Sequence, residues 1–333
     1  HIEEAGIHSG DSSCTLPPIT LGPDVIAKVK EATEAIARGT GVRGLINIQF
    51  AYVSENLFVI EANPRASRTV PFVSKATGVQ LAKAAVMIGL GKTIAELKAE
   101  GYLPKNMDGA SLPQNTAIAV KAAVLPFSRF RTPEGVVVDS LLSPEMRSTG
   151  EVMGLDTLYD TAFAKAQAGA GSPLPTEGKV FVSVANHDKR NVIIYAKMLE
   201  QLGFEIVSTG GTADVLRRNG VNSTVASKFA EANGQHSIVD MVRNGEIDLI
   251  LNTPAGGAAR SDGYEIRAAA VSVGCPVMTT ISEFAAAVQA ITALRERSWE
   301  IINLQEHGEF LRTASTREQG QDKGEQVREG ELS

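Results

Sequence analysis

QFAYVSENLFVIEANPRASR, Gln49 to Arg68, holds two alternating apolar runs and a turn. Leu45 to Val53 and Leu57 to Ala62 flank Ser54-Glu55-Asn56, which is the pattern of a β-hairpin. Side chains two apart share a strand face, so Glu61 and Asn63 point the same way and Gln49 can join them from across the hairpin. Magnesium prefers oxygen ligands and completes its shell with water and substrate phosphates, so one carboxylate with two amide oxygens suits a metal-nucleotide complex. Pro64 stops the strand. Just beyond it, Arg65 and Arg68 can offer paired donors to phosphate oxygens. An ordinary hairpin with a solvated polar end fits the same local pattern equally well.

Composition bounds the remainder. The 333 residues are enough for two domains, and 43% hydrophobic with 21% charged residues is the makeup of a globular chain. The formal net charge of -6 gives no broad basic surface for nucleic acid, so phosphate binding has to come from focused sites. No apolar run reaches the roughly 20 residues of a spanning helix, so no membrane partner is expected. Cys14 and Cys275 are far apart and lack metal-ligand spacing; they read as buried thiols in a reducing, cytoplasmic setting. His187, His236 and His307 have no metal spacing, and Trp299 reads as packing.

Helical spacing predicts a helix over Asp24 to Arg38 and another over Val79 to Leu90. Gly91-Lys92-Thr93 resembles the tail of a phosphate loop but lacks the first glycine and follows a helix, so it is assigned to a helix end. Residues 104–116 read as an irregular connection, Lys121 to Phe130 as a strand-like run, and Thr157 to Ala168 as a short helix. GAGSPLPTEG, residues 169–178, is a linker by composition. After it, strand-like runs at Lys179 to Ala185, Glu205 to Ser208, Ser223 to Ala226, Asp248 to Asn252 and Pro276 to Thr279 alternate with helical stretches. These lie near 188–202, 212–219, 236–244, 258–272 and 282–296, and the alternation implies a parallel sheet with helices on both faces. Ligands of such sheets sit at the carboxyl ends of the strands. Ser183, Lys189, the turn Thr209-Gly210-Gly211-Thr212, Lys228 and Asn252-Thr253 all fall there, and a glycine turn flanked by hydroxyls at a helix start can cradle a phosphate.

IEANPRASRTVPFVSKATG, Ile60 to Gly78, resembles the metal-binding stretch of the ATP-grasp domains in the carbamoyl phosphate synthetase large-chain family. HIEEAGIHSGDSSCTLPP at the start and SPEMRSTGEVMG, Ser143 to Gly154, are similar to the segments that precede and close the same domain. The second half resembles that family's terminal methylglyoxal-synthase-like domain. The resemblance implies an α/β chain: a partial ATP-grasp domain, an antiparallel or mixed sheet with helices, over residues 1–168. The linker 169–178, a Rossmann-like parallel-sheet domain over 179–303 and a flexible tail over 304–333 follow. It implies phosphorylation of carbamate by ATP in the full enzyme, with Mg2+ or Mn2+ held by Gln49, Glu61 and Asn63. Arg65 and Arg68 would bind the transferred group, and His1, His8 and Ser9 would lie beside the nucleotide. Ala62 stands where the family usually has Val, on the side facing away from the metals.

The same resemblance implies that Ser183, Lys189, Thr209, Thr212, Lys228 and Asn252 surround a nucleotide monophosphate effector, UMP or IMP. Pro254 departs from the pattern, which leaves the effector open. An ornithine site would use Glu3, Asp11 and Thr279, but its third carboxylate falls at Ala122, so ornithine activation is expected to be weak or absent. Implied partners are a glutamine amidotransferase small chain and an upstream part of the large chain, with self-association also open. The glycine-rich lid of an ATP-grasp site would lie before this chain, so the chain alone is expected to bind ATP weakly and to lack turnover. Two other readings stay open: a purely regulatory and interaction module, and an active methylglyoxal synthase or purine cyclohydrolase in the second half.

Overall fold

The computed structural model describes residues 2–105, 117–132, 136–227, 237–254 and 257–306. They build two compact units. One gathers His1–Cys14, Val120–Gly154 and Phe163–Ser298, the other Thr15–Ala119, Leu155–Ala162 and Trp299–Ser333.

In chain order the first half holds β1 (Cys14–Leu16), α1 (Pro23–Thr40), β2 (Asn47–Val53), β3 (Asn56–Asn63), α2 (Thr69–Thr77), α3 (Leu81–Gly89), α4 (Ile94–Ala99), β4 (Ile118–Val124), β5 (Gly150–Asp156) and α5 (Tyr159–Gly169). Proline in the first turn of α1 and left-handed Gly41 at its end are the expected helix stops. β2 and β3 form a two-stranded antiparallel sheet. Its turn is Ser54-Glu55, both at positive φ, and Asn56 belongs to β3, where its side-chain Nδ2 donates to the Ser54 carbonyl at 2.9 Å. Two positive-φ residues match the right-handed twist of the flanking strands. Thr93 caps α4 in a reciprocal box with Glu96, which explains the Gly91-Lys92-Thr93 sequence without any phosphate. β4 ends earlier than the strand-like run suggested: Leu125-Pro126 cannot continue a ladder, and Phe127–Arg129 makes a single 3-10 turn. β1, β4 and β5 form a three-stranded sheet in the order β1-β4-β5.

The second half holds β6 (Lys179–Ser183), α6 (Lys189–Gln201), β7 (Glu205–Ser208), α7 (Gly210–Arg218), β8 (Thr224–Val225), α8 (Ile238–Arg243), β9 (Leu249–Asn252), α9 (Gly257–Val273), β10 (Val277–Met278) and α10 (Ile281–Glu296). The five strands form one sheet in the order β10-β9-β6-β7-β8, and every pairing is parallel. Helices on both faces bury it, so the central strands read as unbroken apolar runs. Val180, Phe181 and Val182 of β6 and Leu249, Ile250 and Leu251 of β9 are fully buried. Each such side chain contributes about 1.5–3 kcal/mol relative to leaving it in water.

The residues before β6 are fixed by a carboxylate. Asp248 accepts a hydrogen bond from the Lys179 amide at 2.7 Å. Gly178 passes over that carboxylate at φ +114, and a Cβ there would stand 2.0 Å from the Asp248 Oδ2. Only glycine carries the chain onto the sheet in this way.

Candidate functional sites

The hairpin brings its three expected ligands together by a device that the sequence does not announce. Counting back from the turn, Val53 faces Asn56 and Phe50 faces Val59, but the register then shifts, so that Gln49 faces Glu61 and Asn47 faces Asn63. Ile60 is the extra residue of a β-bulge. Unbroken pairing would have put Gln49 against Ile60 and Glu61 against Ile48. Directly opposed residues share a face, so the bulge is what sets Gln49, Glu61, Asn63 and also Asn47 on one surface. Asn47 was not among the expected ligands; its place opposite Asn63 depends on the bulge. Glu61 is exposed and Gln49 and Asn63 are half-buried. Just after β3 the Arg65 amide donates to the Asn63 carbonyl at 2.8 Å, a tight turn that leaves the exposed Arg65 side chain next to the ligand face. Arg68 occupies the N-cap position of α2. One carboxylate with neighbouring amides is a donor set that fits a divalent cation already carrying phosphate oxygens. Among the described residues no three His, Cys, Asp or Glu side chains group closely enough to hold a metal by themselves.

His8 and Ser9 lie in the other unit. His8 accepts from the Gly10 amide through Nδ1 at 3.0 Å, and the Ser9 carbonyl accepts from the Lys121 ammonium at 2.9 Å. His1 lies outside the described residues.

At the carboxyl ends of β6, β7 and β9 a second set of polar groups converges. Ser183 ends β6 and faces Asn252 of β9 in register. The Ser183 and Thr209 hydroxyls are 3.3 Å apart, Thr209 and Thr212 3.4 Å, and the Thr212 hydroxyl accepts from the Val184 amide at 3.4 Å. Thr209 is the N-cap of α7, and its side chain makes no capping bond to the helix. The Lys189 ammonium lies over that helix start, 3.2 Å from where a Cβ on Gly211 would be. A helix N-terminus, hydroxyls and a lysine on one spot form an anion cradle. Thr253 belongs to the same set, since its hydroxyl accepts from the Ala185 amide at 2.9 Å. Lys228 lies outside the described residues.

Glu3, Asp11 and Thr279 line one cavity of about 280 Å³, and Ala122 is on its wall. Asp11 is committed to structure: it accepts from the Arg147 and Ser148 amides at 2.7 and 2.9 Å and from the Ser148 hydroxyl at 2.6 Å. Glu3 keeps one buried carboxylate oxygen without a hydrogen bond. Glu283, missed in the sequence, also lines the cavity and accepts from the Thr279 amide at 3.1 Å. Thr280-x-x-Glu283 has the spacing of a capping box, and the Thr280 hydroxyl does accept from the Glu283 amide, but the carboxylate turns to Thr279 instead. Burial first, then the nearby Glu3 charge, push the Glu283 carboxyl well above its ordinary value, and burial raises Glu3 as well. A group raised on folding binds more protons in the native state, so stability falls as pH rises from the ordinary carboxylate value of 4.5 through the raised one. Glu283→Gln is therefore expected to flatten that fall and to be more stable than the parent at pH 7, measured by urea denaturation at several pH values. A parallel loss in both proteins would refute it. Cys275, on the same wall, is pushed up to about 12 chiefly by burial and is an inert thiol.

Comparison with known proteins shows what the two halves of the chain are similar to. A family model for the carbamoyl-phosphate synthase L chain ATP binding domain matches residues 3–97, and one for the MGS-like domain matches residues 191–279. The chain is 68% identical over 324 residues to the carbamoyl phosphate synthase large chain of Kocuria rhizophila, covering 97% of this chain and 29% of that protein. Its similarity to the large chain of Paenarthrobacter aurescens is 67% over 318 residues, 94% of this chain and 29% of the relative. For Streptomyces coelicolor the values are 59% over 314 residues, 93% and 28%. The chain thus spans under a third of the length of the relatives it matches.

Proposed function

We infer, from a chain that belongs to the carbamoyl phosphate synthase large-chain family, that its hairpin is one wall of an ATP site where carbamate is phosphorylated to carbamoyl phosphate. The observation that carries this reading is the bulged register that sets Gln49 against Glu61 and beside Asn63. Bound magnesium or manganese would neutralise charge on the ATP phosphates. Gln49, Glu61 and Asn63 would hold it from one face, and Glu61 serves as a ligand rather than as a proton carrier. Phosphoryl transfer runs through a loose transition state, so the protein's part is positioning and charge stabilisation. Arg65 and Arg68 would orient the transferred group with paired donors. The reading extends to a glutamine-dependent, cytoplasmic enzyme that works with an amidotransferase small chain and supplies arginine and pyrimidine synthesis. By itself the present chain is expected to bind ATP weakly and not to turn over.

The strand-end cradle is proposed to bind a nucleoside monophosphate, UMP or IMP, as an effector, with the phosphate at Thr209, Thr212 and Lys189 and with Lys228 completing it. A ligand that binds only the native state raises its stability by mass action, so UMP or IMP should raise the melting temperature of the chain. Lys189→Ala removes one charged hydrogen bond of about 1.5–3 kcal/mol, which is roughly ten- to a hundredfold in Kd. An unchanged Kd in Lys189→Ala would remove the phosphate from this cradle. The domain boundary is proposed at 169–178. The acid cavity is proposed as the counterpart of an ornithine site; with Ala122 in place of a carboxylate, activation by ornithine is expected to be weak or absent.

A further inference from the structure

Arg267 is fully buried, although it carries a charge and lies on α9 beside the strand-end cradle. Its Nε and Nη2 donate to the two oxygens of Asp139, each at 2.7 Å, and its Nη1 donates to the Asn252 Oδ1 at 2.7 Å. Asp139 is 31% exposed, so the pair reaches from the interior to the surface. The same helix also grips the strand of chain before Asp139, since the Tyr264 hydroxyl donates to the Val137 carbonyl at 2.6 Å. Gly263 is seated against this junction. A Cβ on it would stand 2.3 Å from the Arg267 Nη1 and 2.6 Å from the Asn252 Oδ1.

A neutral amide has no charge to orient it, and its two ends are nearly the same size. Here one end is decided. With Oδ1 taken by a guanidinium, which only donates, a flipped Asn252 would set its NH2 against another donor. The amide NH2 therefore faces the Ser183 side, where it sits 3.5 Å from the Ser183 carbonyl, a weak contact that a ligand oxygen can replace. The paired Asp139 balances the guanidinium, so Arg267 orients the cradle without adding net charge to it.

We propose that Arg267 is a positioning residue of the strand-end cradle: it holds the Asn252 amide as a donor toward the ligand, and Asp139 and Gly263 hold Arg267 in the place where it can do so. The proposal rests on the reading of that cradle as a nucleoside monophosphate site and specifies what the site demands there, an acceptor oxygen. The test uses the full-length synthase with UMP and IMP as probes, and compares Gly263→Ala, Asn252→Ala and the double variant by calorimetry. Gly263→Ala wedges the junction apart without removing a polar group; it is expected to weaken nucleotide binding about tenfold with effector-free turnover unchanged. If Arg267 acts through Asn252, the double variant binds no more weakly than Asn252→Ala alone, because residues acting through one group are not additive. Losses that multiply, or wild-type binding by Gly263→Ala, would overturn the proposal. Should Gly263→Ala fail to fold, Arg267→Lys takes its place, keeping the charge against Asp139 while losing the fork that spans both partners. If the unaltered enzyme binds neither UMP nor IMP, the nucleotide reading and this proposal fall together; if it binds and the losses multiply, only this proposal does.

Discussion

Glu61→Gln in the full-length synthase is expected to lower carbamoyl phosphate formation by roughly a thousandfold or more while leaving UMP or IMP binding at the strand-end cradle intact. The substitution keeps the shape of the side chain, and Glu61 is exposed on the hairpin, so folding has little at stake. What changes is one negative charge in a donor set that has only that carboxylate; Gln49, Asn63 and Asn47 are neutral amides. A bound metal supplies several kcal/mol of charge stabilisation to a transferring phosphoryl group. Losing about 4 kcal/mol of it corresponds to about three powers of ten in rate. The measurement is steady-state carbamate phosphorylation at saturating ATP and metal, with nucleotide binding by calorimetry on the same sample. Unchanged turnover would remove Glu61 from the site. A loss of turnover accompanied by loss of effector binding would point to damage beyond the hairpin.

The second large effect is on stability. Lys121→Met is expected to cost about 3–5 kcal/mol, the usual penalty for removing one partner of a buried ion pair. Lys121 sits in the middle of β4 with its side chain only 2% exposed; its ammonium donates to the Ser9 carbonyl at 2.9 Å and pairs with Glu151 at 3.5 Å, itself 9% exposed. Removing the ammonium takes away the charge that faces the Glu151 carboxylate at 3.5 Å in a low-dielectric setting. It also frees the segment that carries His8 and Ser9. Restoring neutrality with Glu151→Gln in the Lys121→Met background should recover part of the loss, since an apolar or neutral replacement of both partners costs less than breaking the pair. Urea denaturation of the three proteins checks this. A single-variant loss below about 1 kcal/mol, the scale of an exposed pair, would show that the pair is not buried in solution.

Much of this was legible in the residues. The parallel sheet followed from apolar runs of strand length alternating with helical spacing, and runs such as Val180 to Val182 are uniformly apolar because both faces are covered. The hairpin was legible from its alternation and its polar turn, and the cradle from glycines and hydroxyls at strand ends. What was not legible depends on strand pairing or on side-chain contacts that no local pattern shows. The bulge at Ile60 is a register effect, and no local pattern distinguishes Ile60 from its apolar neighbours. The junction joins Asp139 to Asn252 and Arg267, more than a hundred positions further along the chain. Glu283 stands at capping-box spacing from Thr280, and only the cavity shows where its carboxylate points. β1 and β5 were missed because their residues alternate weakly and take their strand character from pairing with β4.

The bulge has a consequence for how competence should be recognised in related chains. Pairing the same residues without a bulge at Ile60 would leave every ligand, both arginines and the turn in place, yet it would set Gln49 against Ile60 and swing Gln49 and Glu61 to opposite sides of the ribbon. The chemistry would be lost through parity alone. A relative can therefore carry the full roster of Gln, Glu, Asn and Arg and still be silent. The register between the two strands is as much a part of the site as the oxygen atoms are.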